Sequence, residues 1–330
     1  MKAAFIHETG PAEKIQFGEL PVPVPQSGQV LVRTCAVSVN PIDTYIRNGA
    51  NYWELPKPYI LGADLAGIVE VTGPGAGRFK VGDRVWCSNQ GLMGRQGTFA
   101  EFCAVEERFL YRTPDKVSDD AAAACALVGI TAHLGLFQTA RIQSGQTLFV
   151  NGGSGGVGSM VIQMAKAAGV RVVATAGSEE KVAACLALGA EMAINYKTED
   201  VAAKVKLFQP EGVHVYWETT RDPDFDRIVP LLAERGKIIL MAGREARPAF
   251  PVGPFYVKGC SLHGFVMFKA TPDEQRQCAE DINQWLVSGK IVPRISHVLP
   301  LSQAAESHRL QEANTLRKEG SLSGKIVLHP

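Results

Sequence analysis

With 330 residues the chain has room for two domains at roughly 150 residues each. Hydrophobic residues make up 46% and charged residues 20%, which excludes a disordered chain and a fibre. Lys and Arg number 34 against 33 Asp and Glu, so a net charge of +1 offers no electrostatic footprint for nucleic acid. The seven cysteines are odd in number, widely spaced and without a CxxC pair, which disfavours a disulfide framework and a structural zinc knuckle. They point to a reducing, cytoplasmic setting. The apolar run Ala3-Ala4-Phe5-Ile6 is too short for a secretory signal. The stretch 121–137 is short of the ~20 apolar residues of a membrane span and contains Gly129, Thr131, His133 and Gly135, so it reads as a buried helix, with no membrane partner.

Residues 1–121 are punctuated by Gly and Pro. Pro21, Pro23 and Pro25 alternate with Val22 and Val24, which keeps that segment extended. β-Branched residues predict a strand over 30–39, with shorter strands over 68–71, 84–86 and 99–105. Gly73-Pro74-Gly75-Ala76-Gly77 is a turn. Many short strands with frequent turn signals predict a small barrel-like β domain.

Residues 122–267 change character. A strand over 147–150 runs into a glycine cluster, and Val157, Met160, Val161, Met164, Ala165 and Ala168 then recur at the helical period. Strands over 171–175, 192–196, 213–217 and 237–241 alternate with helices over 179–188, 200–208 and 225–232, and 261–268 reads as a sixth strand. This alternation predicts right-handed βαβ units and a doubly wound parallel sheet. Residues 268–330 carry helices over 272–287 and 302–314 and a strand over 325–328. The piece is too small for its own core and is expected to complete the first domain.

Gly153-Ser154-Gly155-Gly156-Val157-Gly158 fits G-x-G-x-x-G between a strand and an amphipathic helix, the context that makes the pattern informative. Such glycines let the backbone approach a pyrophosphate at a helix N-terminus. An acid at the end of the second strand would select NAD by bonding the ribose 2′-hydroxyl. Here Ala176-Gly177-Ser178 leaves that slot small, and Lys181 is placed to neutralise a 2′-phosphate. Glu179 and Glu180 read as first-turn acids behind an N-cap Ser178.

The glycine loop, the preceding β domain and Asn40-Pro41-Ile42-Asp43-Thr44-Tyr45-Ile46-Arg47-Asn48-Gly49 resemble the zinc-independent quinone oxidoreductases, the zeta-crystallin-like branch of the medium-chain dehydrogenase/reductase superfamily. Gly62-Ala63-Asp64-Leu65-Ala66-Gly67, Gly82-Asp83-Arg84-Val85 and Gly129-Ile130-Thr131-Ala132 extend the likeness through the whole chain. The resemblance implies a GroES-like β-barrel substrate domain, a Rossmann domain, NADPH, and two-electron reduction of quinones or α,β-unsaturated carbonyls. It further implies that Asn40, Asp43, Tyr45 and Thr131 line the nicotinamide cleft, with Tyr45 and Tyr52 as proton donors or stacking rings. Relatives carry an aromatic two residues after the glycine matching Gly49, whereas Asn51 stands there and Tyr52 comes one later. The blander readings are packing for Tyr45 and a turn-forming role for Asp43. Ser154, Gly155, Gly156, Val157 and Gly158 match the phosphate loop. Gly177, Ser178, Lys181 and Tyr196 match the adenosine-phosphate pocket, and Gly243, Phe265, Val266 and Met267 the strand ends beside the nicotinamide. The arginine that relatives place near the C-terminus falls at Glu319 or Gly320, just after Arg317 and Lys318.

The superfamily's catalytic zinc needs a Cys near Asn40 and a His-Glu pair after Gly62. This chain has Asn40 and Ala63-Asp64, so a metal is not expected. The reading is therefore an NADPH-dependent reductase of quinones or enones. An enoyl-thioester reductase and a non-catalytic NADPH-binding, crystallin-like or sensor protein are its alternatives. The apolar strand over 261–268 at the sheet end predicts a homodimer.

Overall fold

The computed structural model describes residues 1–50, 53–317, 319–320 and 322–330. The chain divides into two compact units, Met1–Ile130 with Ala270–Pro330, and Thr131–Lys269. The division falls inside the helix Asp119–His133 rather than at residue 121.

In the first unit, β-branched residues make Gln29–Val39 the longest strand, with Val30, Val32, Val37 and Val39 buried. It pairs antiparallel with Asp64–Thr72, Phe102–Glu106 and Lys325–His329. The sheet order is Ile295–Pro300, Lys325–His329, Gln29–Val39, Asp64–Thr72, Arg84–Cys87, Leu110–Arg112. Lys2–Ile6 forms a second small sheet with Gln16–Glu19 and Tyr59–Ile60. Pro41–Arg47 is a helix, where a turn-forming role was the blander reading of Asp43. Pro41 opens it, and the Asp43 carboxylate accepts from the Asn40 backbone N–H at 2.7 Å, half of a capping box.

The second unit is a six-stranded parallel sheet in the order Met192–Asn195, Arg171–Ala176, Thr147–Asn151, Val213–Glu218, Leu232–Leu240, Ser261–Gly264. The strand order reverses between Thr147–Asn151 and Val213–Glu218, the switch point where open α/β sheets bind ligands. One face is closed by Phe149, Val173, Ile194, Val213, Phe225 and Ile238, and Phe149 stacks on Tyr216 at 4.7 Å.

Three expected elements differ. The sixth strand is Ser261–Gly264, not 261–268, because its neighbour ends at Leu240, opposite Gly264, leaving later residues without a ladder. Met267–Lys269 is a 3-10 turn instead. The helix over 225–232 stops at Ile228: Pro230 supplies no N–H, Val229–Leu231 tightens to a 3-10 turn, and Leu232 already belongs to the next strand. Residues 99–105 form a strand only as Phe102–Glu106. Among the described residues, Asp119–Thr139 is the one helical stretch long and apolar enough to cross a membrane, and 78% of its apolar window is buried inside the protein.

Candidate functional site

The glycine loop lies at the carboxyl end of Thr147–Asn151, where Gly152 turns the chain at φ +85°. Gly158 meets that turn from the following helix, Gly156–Ala167: a Cβ there would stand 2.2 Å from the Gly152 carbonyl oxygen, so only glycine fits. Gly155, the helix N-cap, has the opposite surroundings. It is exposed, and its Cβ direction meets only the Gly152 oxygen at 3.5 Å. The open side of the loop therefore faces the first-turn amides of Gly156, Val157 and Gly158, which lack intrahelical acceptors and carry the positive end of the helix dipole. Ser154 and Val157 flank the opening, half-buried. A diphosphate fits a cradle of this kind.

At the end of the next strand, Arg171–Ala176, a Cβ on Gly177 would lie 2.6 Å from the Tyr196 hydroxyl, so the half-exposed phenol covers Gly177. Ser178 caps the helix Glu179–Leu188 by accepting from the Lys181 amide at 3.3 Å. The Glu179 carboxylate accepts from the Asn195 side chain at 2.6 Å, which engages one of the two acids. Burial pulls the Lys181 ammonium below its usual range, with Glu180 raising it and Lys197 lowering it further. Lys197 is thus a second cation near Lys181 that the sequence reading missed. Its signal was its place directly after Tyr196.

Gly243, at φ +80°, carries no side chain because a Cβ would stand 2.4 Å from the Arg221 carbonyl oxygen. Phe265 meets Trp217 edge-on at 6.3 Å, Val266 is exposed and Met267 is buried. Thr131 is buried and belongs to this second unit, whereas Asn40, Asp43 and Tyr45 belong to the first.

In the first unit, Asn40 and Asp43 meet two residues the sequence reading did not use for chemistry, Asp64 and Lys325. The Asn40 amide nitrogen donates to Asp64 Oδ2 at 2.8 Å, and its carbonyl oxygen accepts from Lys325 Nζ. Lys325 Nζ also donates to the Val39 carbonyl at 2.7 Å and lies 3.9 Å from Asp64 Oδ2. Asn40 and Asp64 are wholly buried, and Asp43 and Lys325 nearly so. Burial, then the Asp64 charge, pushes the Asp43 carboxyl up to about 8. Burial raises Asp64 as well, against the pull of Lys325 and Asn40. A lysine opening the otherwise apolar run Ile326-Val327-Leu328 was the available signal. Tyr45 is half-buried on the helix Pro41–Arg47, and Arg317 ion-pairs with Glu319. Tyr52 and Lys318 lie outside the described residues.

Residues 26–115 match the alcohol dehydrogenase GroES-like domain family, and residues 156–284 match the zinc-binding dehydrogenase family. Quinone oxidoreductase of Homo sapiens is 31% identical over 99% of this chain and 97% of its own length, and that of Rattus norvegicus 33% over the same shares. The solved Escherichia coli quinone oxidoreductase complexed with NADPH superposes over the whole of both chains with a TM-score of 0.87 at 26% identity. A solved NAD-dependent alcohol dehydrogenase does so with a TM-score of 0.89 at 30% identity. Among the described residues no three His, Cys, Asp or Glu side chains are grouped to hold a metal ion. The fold thus joins a GroES-like domain to a Rossmann-type parallel sheet. The chain is an oxidoreductase and belongs to the quinone oxidoreductase, zeta-crystallin-like branch of the medium-chain dehydrogenase/reductase superfamily.

Proposed function

We propose that the protein uses NADPH to reduce quinones or α,β-unsaturated carbonyls without zinc. The observation that carries this reading is the open glycine cradle at Gly155, flanked by Tyr196 over Gly177 and by the cations Lys181 and Lys197. It stands in a chain whose full-length relatives are quinone oxidoreductases. When bound, NADPH supplies the hydride. Ser154, Gly155, Gly156, Val157 and Gly158 would hold its diphosphate. Ser178, Lys181 and Tyr196 would hold the 2′-phosphate, with Glu179 kept occupied by Asn195. Gly243, Phe265, Val266 and Met267 are assigned to the nicotinamide side, and Tyr45, Tyr52 and Thr131 to the acceptor. Asn40 and Asp43 act through the enclosed pair Asp64–Lys325. That pair supports independence from zinc, since an ammonium already neutralises the carboxylate there.

The outer edge of Ser261–Gly264 and the helix Val252–Val257, none of whose residues is buried, support an isologous homodimer. Buried thiols such as Cys87 and Cys103 agree with a cytoplasmic protein. The test is NADPH oxidation against a panel of quinones, enones and enoyl thioesters. Turnover of quinones or enones is the expected result. Turnover of enoyl thioesters alone, or binding without turnover of any acceptor, would overturn the reading.

A further inference from the structure

The carboxylate of Glu218 ends the strand Val213–Glu218 and sits opposite Asn151 in the parallel register. The residue is only 2% exposed. N–H donors meet it from two sides: the Asn151 amide nitrogen stands 3.0 Å from each of its oxygens, and the Thr220 backbone N–H donates to Oε1 at 2.6 Å. Burial raises the Glu218 carboxyl, and the donors at Thr220 and Asn151 pull it back towards the ionised form. Ionised, it only accepts, so the amide nitrogen of Asn151 faces Glu218 and its carbonyl oxygen faces the other way. There Asn151 Oδ1 accepts from the Thr175 hydroxyl at 2.8 Å, and Thr175 Oγ1 in turn accepts from the Gly152 backbone N–H at 3.0 Å. The result is a one-directional chain of hydrogen bonds, Gly152 to Thr175 to Asn151 to Glu218, across the ends of three adjacent strands. The next residue tightens it. Thr219 donates to the Asn151 carbonyl at 2.5 Å, and its Oγ1 lies 2.4 Å from where a Cβ on Gly152 would be. Two residues on, the Arg221 carbonyl makes the corresponding demand on Gly243.

We propose that Glu218 is the positioning residue of the glycine loop: as an acceptor without donors, it sets the direction of this chain and so fixes where Gly152 launches the cradle. The proposal rests on the reading of that cradle as the dinucleotide site. A glutamine at 218 would present its own N–H to Asn151 and turn the amide round. Asn151 would then donate to Thr175, whose hydroxyl proton would lose its acceptor in a buried place. An aspartate would keep the acceptor character.

The experiment titrates NADPH binding by fluorescence in wild type, Glu218→Gln, Glu218→Asp, Thr175→Val and the double variant Glu218→Gln/Thr175→Val. Glu218→Gln and Thr175→Val should each weaken NADPH roughly tenfold, the scale of one buried hydrogen bond. The double variant should bind no worse than the weaker single, because both cut the same chain. Glu218→Asp should recover most of the affinity. If Glu218→Gln does not fold, Thr175→Val against Thr175→Ser tests the same chain, the serine keeping the hydroxyl and the affinity. Wild-type affinity in Glu218→Gln, multiplicative losses in the double variant, or equal losses in Thr175→Val and Thr175→Ser would each overturn the positioning role alone. Wild type that binds neither NADPH nor NADH would overturn the dinucleotide reading and the proposal with it.

Discussion

Lys325 Nζ stands 3.9 Å from Asp64 Oδ2, and Asn40 bridges the two by accepting from the ammonium and donating to the carboxylate. The pair stabilises the first unit only as a pair, because either charge left alone in that interior is uncompensated. Lys325→Met should lower unfolding stability by about 3–5 kcal/mol, read as a fall in the urea midpoint. Adding Asp64→Asn should return a large part of the loss. A Lys325→Met protein with the wild-type midpoint would contradict this account.

His308 is enclosed beside the Arg47 guanidinium, and burial followed by that charge drives its imidazole down to about 3. An unfolded histidine takes up its proton near pH 6.5, so the folded state holds fewer protons between these values. The contribution is whole above pH 6.5 and is lost as the pH falls towards 3. From pH 6.5 to 5, wild type should lose about 2 kcal/mol relative to His308→Asn, at about 1.4 kcal/mol per pH unit. Asp43, raised by burial, titrates with the opposite sign in both proteins and drops out of the difference. Parallel stability curves for the two proteins would refute it.

Lys181 should select NADPH. A charge-assisted hydrogen bond is worth roughly 1.5–3 kcal/mol, about ten- to a hundredfold in binding. Lys181→Ala should weaken NADPH by that factor and leave NADH nearly unchanged. Lys197, Ser178 and Tyr196 remain as partners, which puts the loss at the lower end. Equal losses for both cofactors, or a wild type that prefers NADH, would remove Lys181 from this role.

Activity should survive prolonged treatment with a chelator, with the fold unchanged by circular dichroism. An ammonium and an amide stand beside Asp64 where a cation site would need further ligands. Stoichiometric, tightly held zinc by elemental analysis would be the contrary result.

The edge Ser261–Gly264 and the helix Val252–Val257 leave Leu262, Val252, Tyr256 and Val257 exposed, with Tyr256 at 68%. Sedimentation at micromolar concentration should show a dimer. Lys in place of Leu262 and Val257 together should give a folded monomer. A monomeric wild type would rule out this interface.

Periodicity made the parallel sheet legible, because buried strands ending in turn signals and helices with apolar faces leave local marks. The glycine loop was legible for the same reason: Gly158 and Gly152 answer to each other within seven residues. What stayed hidden was set by contacts distant in sequence. That Asn40 bonds Lys325 and Asp64 depends on residues 285 and 24 positions away, which no local pattern announces. Glu218 looks like the polar end of a strand until the sheet order brings Asn151 and Thr175 beside it. The over-long sixth strand failed because strand length depends on the partner, and Leu240 ends the ladder. The helix Pro41–Arg47 was missed because seven residues behind a proline carry too little periodicity to register.

The pairing of Lys325–His329 with Val37, Ser38 and Val39 carries a consequence for synthesis. The second unit is one unbroken stretch, Thr131–Lys269, and can close as soon as it leaves the ribosome. The first unit cannot. Asp64 emerges early, and the ammonium that pairs with it arrives only with Lys325. At roughly 5–20 residues per second, the nascent β domain waits tens of seconds with Asp64 unpaired and a central strand edge open. Chaperone occupancy should therefore concentrate on the amino-terminal segment and persist until Lys325 has emerged.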